Sequence, residues 1–84
     1  MKIFYTKKFE REYKKLNKEI KLKVESRENL FRKNPFASVL KTHKLSGELE
    51  DFWSFSVDFS YRIIFEFIDD NIFFHSIGTH DIYK

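Results

Sequence analysis

The chain of 84 residues contains no cysteine, so it can build neither a disulfide framework nor a cysteine-based zinc site. Two glycines and one proline leave little room for long irregular loops. The amino terminus, M-K-I-F-Y-T-K-K, lacks the apolar core of a signal peptide, and no apolar run approaches the length of a membrane span. With the lysine-rich composition, these absences lead us to expect a cytoplasmic protein that does not enter a membrane. There is no P-loop, no G-x-G-x-x-G and no nucleophile elbow. The three histidines, His43, His75 and His80, do not fall at a metal-binding helical spacing, so neither a metal nor another cofactor is expected. Internal repeats, low-complexity tracts and linkers are absent, and the chain reads as one domain over residues 1–84.

What the sequence has in quantity is aromatic bulk: eleven Phe, four Tyr and one Trp. Such rings thicken the thin core that a chain of this length can bury. The net charge of +3 hides an asymmetry. Residues 1–44 carry 14 Lys/Arg against 5 Asp/Glu, and residues 45–84 carry 2 against 8. A basic half this strong suits nucleic acid or an acidic protein partner, although solvated helical faces would account for it equally well.

Lys2 to Tyr5 reads as a short strand. Thr6 then suits the N-cap of a helix whose stripe is Phe9, Tyr13, Leu16 and Ile20. Asn17 caps a second helix with Ile20, Val24, Leu30 and Phe31 on its buried side, and Asn34-Pro35 stops it. The stretch from Pro35 to Leu49 reads as irregular. From Trp53 onward the chain is β-branched and aromatic with a period of two. Trp53, Phe55 and Val57 alternate with Ser54, Ser56 and Asp58, and Tyr61, Ile63, Phe65 and Phe67 alternate with Arg62, Ile64, Glu66 and Ile68. Turns at Asp58-Phe59-Ser60 and Asp69-Asp70-Asn71 divide this stretch into a three-stranded antiparallel meander. The order is β-α-α-β-β-β, an α+β fold with two helices on a mainly antiparallel sheet of four strands.

Arg62 is the only Lys or Arg between Leu45 and Tyr83. A guanidinium in so apolar a strand needs a partner. An ion pair with Glu66, Asp58 or Glu50 would explain it, and so would a cleft that takes an anion. With His43, His80, Lys41, Lys44 and Tyr83 it makes an inventory suited to cleaving RNA without a metal. Histidine serves as acid or base near neutral pH, and a fixed guanidinium holds developing charge on a phosphorane. Each residue also has a plainer use: His43 hydrogen-bonding backbone in its loop, His75 as an ordinary strand residue, Tyr83 sealing the edge of the core.

Three strings, H-K-L-S-G (His43 to Gly47), W-S-F-S-V-D-F-S-Y-R-I-I-F (Trp53 to Phe65) and I-G-T-H-D-I-Y (Ile77 to Tyr83), together resemble the RelE/ParE superfamily of type II toxins, nearest the RelE, YoeB and YafQ groups. The resemblance covers essentially the whole chain. It implies a microbial-RNase-like fold, ribosome-dependent and metal-independent cleavage of mRNA, and inhibition by a co-expressed acidic antitoxin. It also implies a toxin that is monomeric when free and hetero-oligomeric with that antitoxin. In it Arg62 matches the arginine on the scissile phosphate, His80 the general acid, His43 an active-site histidine taken here as the base, and Tyr83 an aromatic that orients a base. Lys41, Lys44, Ser54 and Ser56 are expected to touch RNA. Val39 stands where YoeB-like enzymes have a glutamate, and Ser56 where YafQ-like enzymes have a histidine. A non-enzymatic inhibitor of a protein such as gyrase, or a degenerate toxin that only binds its antitoxin, are the alternatives.

Overall fold

The computed structural model describes residues 1–79. Strand β1 is Ile3–Tyr5, helix α1 Lys7–Lys14 and helix α2 Lys18–Lys33. Strand β2 follows at His43–Lys44, then β3 at Trp53–Ser56, β4 at Arg62–Ile68 and β5 at Asn71–Gly78. The helix boundaries are those written locally in the sequence. Thr6 Oγ1 accepts from the Phe9 N–H and Asn17 Oδ1 from the Ile20 N–H, each satisfying a donor that the first turn leaves free.

The strands form one sheet in the order β1-β5-β4-β3-β2. The meander β3-β4-β5 is antiparallel as its alternation predicts, and β1 pairs with β5 in parallel. The sheet therefore has five strands, not the four expected. The additional one lies in the stretch read as irregular, where His43 and Lys44 pair with Ser54 and Trp53. Two residues without an apolar alternation carry no local strand signal, and this pairing exists only because β3 offers an edge. Two short 3-10 turns, Ser38–Leu40 and Gly47–Leu49, occupy much of the rest, and Leu40 is fully buried. Gly47 supplies the positive φ of 69° that the second of these turns starts with.

The helices cover one face of the sheet. Phe31 of α2 is the hub, its ring centroid 4.6 Å from Phe55, 5.0 Å from Phe65 and 5.7 Å from Phe74. It thus joins the helical layer to three consecutive strands. Offset and edge contacts of this kind add to the area the rings bury. Phe9 and Val24 complete the helical side of the core.

Along β5 the buried apolar residues run Ile72, Phe74, Ile77. The odd last interval is a β-bulge: Phe65 pairs with Phe74 but Ile64 with Ser76, leaving His75 as the extra residue. Beyond Tyr5 the outer edge of β5 has no strand beside it among the described residues, and α1 takes over. The Thr6 hydroxyl donates to the His75 carbonyl, and the Glu12 carboxylate accepts from the Ile77 N–H at 3.1 Å and the Ser76 hydroxyl at 2.9 Å. Two side chains of this segment thus close an edge that a longer β1 would have paired.

Candidate active site

Directly paired residues on antiparallel strands project to the same face, and so do residues two apart on one strand. One row of the sheet is His43–Ser54–Ile64–Ser76, and the next is Ser56–Arg62–Gly78. Both rows project away from the helical core. His43 and Arg62 therefore share a face, two strands and one row apart, about 12 Å between Cα atoms by sheet spacing. Lys44 pairs with Trp53 instead, which puts it on the helix-bearing side, away from Arg62.

Arg62 is half-buried, and none of the carboxylates expected as partners holds it. Its Nη1 donates to the Ser56 hydroxyl at 2.8 Å and to the Asp58 backbone carbonyl at 3.2 Å. The Ser56 hydroxyl in turn donates to the same carbonyl. Among the described residues its Nε and Nη2 have no partner. The Asp58 carboxylate is engaged elsewhere, accepting from the Ser60 and Tyr61 N–H groups and pairing with Lys23 at 3.4 Å. Partial burial pushes the Asp58 carboxyl up, but these two backbone donors and Lys23 outweigh it and hold it below its ordinary value. Arg27 adds a bond from Nε to the Val57 carbonyl. The turn under Arg62 is consequently tied to its own backbone and to α2, and the guanidinium is fixed without a carboxylate partner among the described residues.

His43 is exposed at the sheet edge, and its Nδ1 lies 2.9 Å from the Lys41 carbonyl oxygen. A carbonyl can only accept, so Nδ1 is the donor, and the neutral tautomer compatible with this bond has its lone pair on Nε2. Lys41 adopts a left-handed conformation, φ 51°, which ends the 3-10 turn just before β2. The backbone contact that sequence reasoning offered as the plain use of His43 is therefore present, and it leaves Nε2 without a partner among the described residues.

The remaining sequence-selected residues fare differently. Lys41 is exposed. Ser54, expected to touch RNA, is instead 0 % exposed. Ser56 is nearly covered and serves Arg62. His80 and Tyr83 lie outside the described residues; β5 ends at Gly78, the residue paired with Arg62.

One group escaped sequence reasoning. His75 Nε2 lies 2.9 Å from Glu66 Oε1, and the ring meets Phe52 edge-on at 5.0 Å. His75 and Phe52, with Thr6, Lys8, Leu49, Ile64 and Ser76, line a pocket of about 360 Å³ on the Arg62 face. The odd spacing of Ile72, Phe74 and Ile77 was the available signal, since a bulge re-aims the side chains next to it. Beside this pocket the Glu12 carboxyl is pushed up by burial, but Lys8, the Ile77 N–H and Ser76 together bring it below its ordinary value. A larger groove, about 870 Å³, runs between the helices and is lined by Tyr5, Phe9, Tyr13 and Lys21 among others, on the other side of the molecule. Among the described residues no group of three or more His, Cys, Asp or Glu is arranged to hold a metal ion, and no helix is long and apolar enough to cross a membrane.

Comparison with known proteins gives this arrangement a family. Among curated proteins none matches the sequence. Solved structures do match the fold. YafQ from E. coli strain BL21(DE3) superposes with a TM-score of 0.81 at 22% identity, covering 96% of this chain and 94% of that one. A YoeB/ParE toxin from Agrobacterium tumefaciens gives 0.79 at 18%, over 95% and 99%. The YafQ toxin in the E. coli DinJ-YafQ toxin–antitoxin complex gives 0.78 at 23%, over 95% and 92%. The family model described as the bacterial toxin of type II toxin-antitoxin system, YafQ, matches residues 1–83, and the chain belongs to that family.

Proposed function

We propose that this toxin is a ribosome-dependent endonuclease that cleaves mRNA without a metal. The observation that carries the reading is Arg62: a guanidinium rigidly held through one nitrogen, with Nε and Nη2 unpartnered among the described residues, on the face that also bears His43. A fork of free donors is what a phosphate's paired oxygens require. In the reaction His43 Nε2 takes the proton of a ribose 2′-OH, and the O2′ forms a bond to the adjacent phosphorus. Arg62 stabilises the two negative charges that gather on the phosphorane oxygens. The P–O5′ bond then breaks, and His80 supplies a proton to the leaving oxygen, giving a 2′,3′-cyclic phosphate and a free 5′-hydroxyl. Tyr83 orients a base, and Lys41 adds a cation at the edge. An acidic antitoxin is the proposed partner, by analogy with the DinJ-YafQ complex of E. coli, and it would silence the enzyme by covering this face.

The test is cleavage of mRNA on programmed ribosomes, with cut sites mapped by primer extension. Arg62→Ala should lower the rate about 10²- to 10³-fold and His43→Ala about 10²- to 10⁴-fold, both with the fold retained. Absence of any cut by the wild-type protein would instead favour a non-enzymatic inhibitor of a protein target.

A further inference from the structure

Phe59 is 98 % exposed, in a domain that fully buries Phe31, Phe55, Phe65 and Phe74. It occupies the tip of the turn between β3 and β4, and no described aromatic ring contacts it. An exposed ring on a mobile loop would mean little, since scattered surface apolar residues are ordinary. This turn is not loose. Asp58 Oδ1 accepts from Ser60 and Tyr61 at 2.9 and 2.7 Å, Val57 donates to the Tyr61 carbonyl at 2.9 Å, and Lys23 and Arg27 of α2 brace it from below. The chain thus spends several hydrogen bonds on presenting a phenyl group to water.

Its position relative to Arg62 gives the exposure a use. The carbonyl oxygen that receives Arg62 Nη1 belongs to the peptide unit joining Asp58 to Phe59. Across that planar unit, the Phe59 Cα lies no more than about 6 Å from the guanidinium nitrogen. From this we infer that Phe59 is a nucleobase-stacking platform, taking the base of a nucleotide next to the phosphate held by Arg62. One flat ring suffices for a base, whose π face is the same whichever base is present. A protein partner would call for a contiguous apolar patch, and a single ring bordered by Asp58 and Ser60 does not provide one. The cations around the turn, Arg62, Lys23 and Arg27, favour a polyanion as the ligand. The inference rests on the nuclease reading above, and it adds a binding subsite to it.

Two measurements test it with the full-length chain. Phe59→Trp places a fluorophore at the tip, and an uncleavable single-stranded oligonucleotide with 2′-O-methyl riboses should quench its emission beyond any change seen with wild type, where Trp53 alone reports. On programmed ribosomes, Phe59→Ala should cut about 5- to 100-fold less efficiently, the range that loss of one stacked base produces, while Phe59→Tyr and Phe59→Trp retain activity. Thermal stability should be unchanged in all three, because the side chain touches nothing in the core. Cleavage by Phe59→Ala at the wild-type rate, with Arg62→Ala slowed as expected, would overturn the platform and leave the nuclease standing. Weakened antitoxin binding by Phe59→Ala with unaltered cleavage would also overturn it and make the ring a protein contact. No cleavage by wild type on ribosomes and no quenching of Phe59→Trp would remove both readings together.

Discussion

Arg62 works at residue scale because of what surrounds it. Ser56 is its cross-strand partner, and the hydroxyl accepts from the guanidinium while donating to the Asp58 carbonyl. The result is a three-membered relay in which one small side chain sets the direction of a long one. Ser56→Ala removes the relay without removing the charge. The expected cost to stability is about 1 kcal/mol, the net worth of an ordinary hydrogen bond. Cleavage should fall more, roughly tenfold, because a displacement of an ångström or so in a charge-stabilising group is felt at the transition state. The check is a comparison of kcat with KM on programmed ribosomes. A positioning role lowers kcat with little change in KM, whereas a serine that only contacted RNA in passing would raise KM alone. Ser56 also illustrates what sequence reading could reach. The alternation placed it correctly on the face opposite the core, but whether its hydroxyl met RNA or Arg62 depended on a cross-strand register that no local signal fixes.

At the scale of elements, the junction of α1 with β5 deserves a quantitative expectation. Glu12 closes the free edge of β5 by accepting from the Ile77 N–H and the Ser76 hydroxyl while pairing with Lys8 at 2.9 Å. Its carboxyl lies below its ordinary value in the folded protein, so the unfolded chain takes up the proton first as the medium is acidified. The stability it contributes is complete above the unfolded value, 4.5, and is lost as pH falls through the lower folded value. Glu12→Ala should cost about 1–3 kcal/mol at neutral pH, since it strands a buried N–H. Glu12→Gln should cost less and flatten the acid limb, as its amide oxygen still accepts but does not titrate. Urea unfolding at pH 7 and pH 4 measures both, and an acid limb as steep in Glu12→Gln as in wild type would exclude this account. The junction was illegible in the sequence for a simple reason: Glu12 and Ile77 are 65 residues apart, and a glutamate on the polar side of an amphipathic helix looks like any other. Features written within a few residues were read correctly, namely both N-caps, the proline stop and the meander with its turns. Features that depend on a distant neighbour were not, as β2, the His75–Glu66 pair and the burial of Ser54 show.

Taken whole, the molecule separates its charge by layer. The 14 cations of residues 1–44 lie mostly on the helices, while the meander is acidic apart from Arg62. Arg62 projects from the sheet face that the helices do not cover. An mRNA strand on that face and ribosomal RNA on the helices would thus hold the toxin from both sides, and the two surfaces should be separable by mutation. Lys14, Lys15 and Lys18 cluster at the α1–α2 junction, exposed and without an ion pair among the described residues. Replacing all three by glutamine removes charge and almost no packing, so stability should change little. If each meets a ribosomal phosphate, the plot of log association constant against log salt should become shallower by about 2, at 0.7–0.9 per contact. The cleavage rate once bound should stay at the wild-type level. Arg62→Ala should do the reverse, lowering the cleavage rate about 10²- to 10³-fold while changing the salt slope by no more than about one contact. Equilibrium binding to ribosomes between low and moderate salt, with single-turnover cleavage at saturation, resolves the two. An unchanged slope in the triple variant would mean that the basic helices face water on the ribosome, and that Arg62 and its neighbours alone hold the toxin to its substrate.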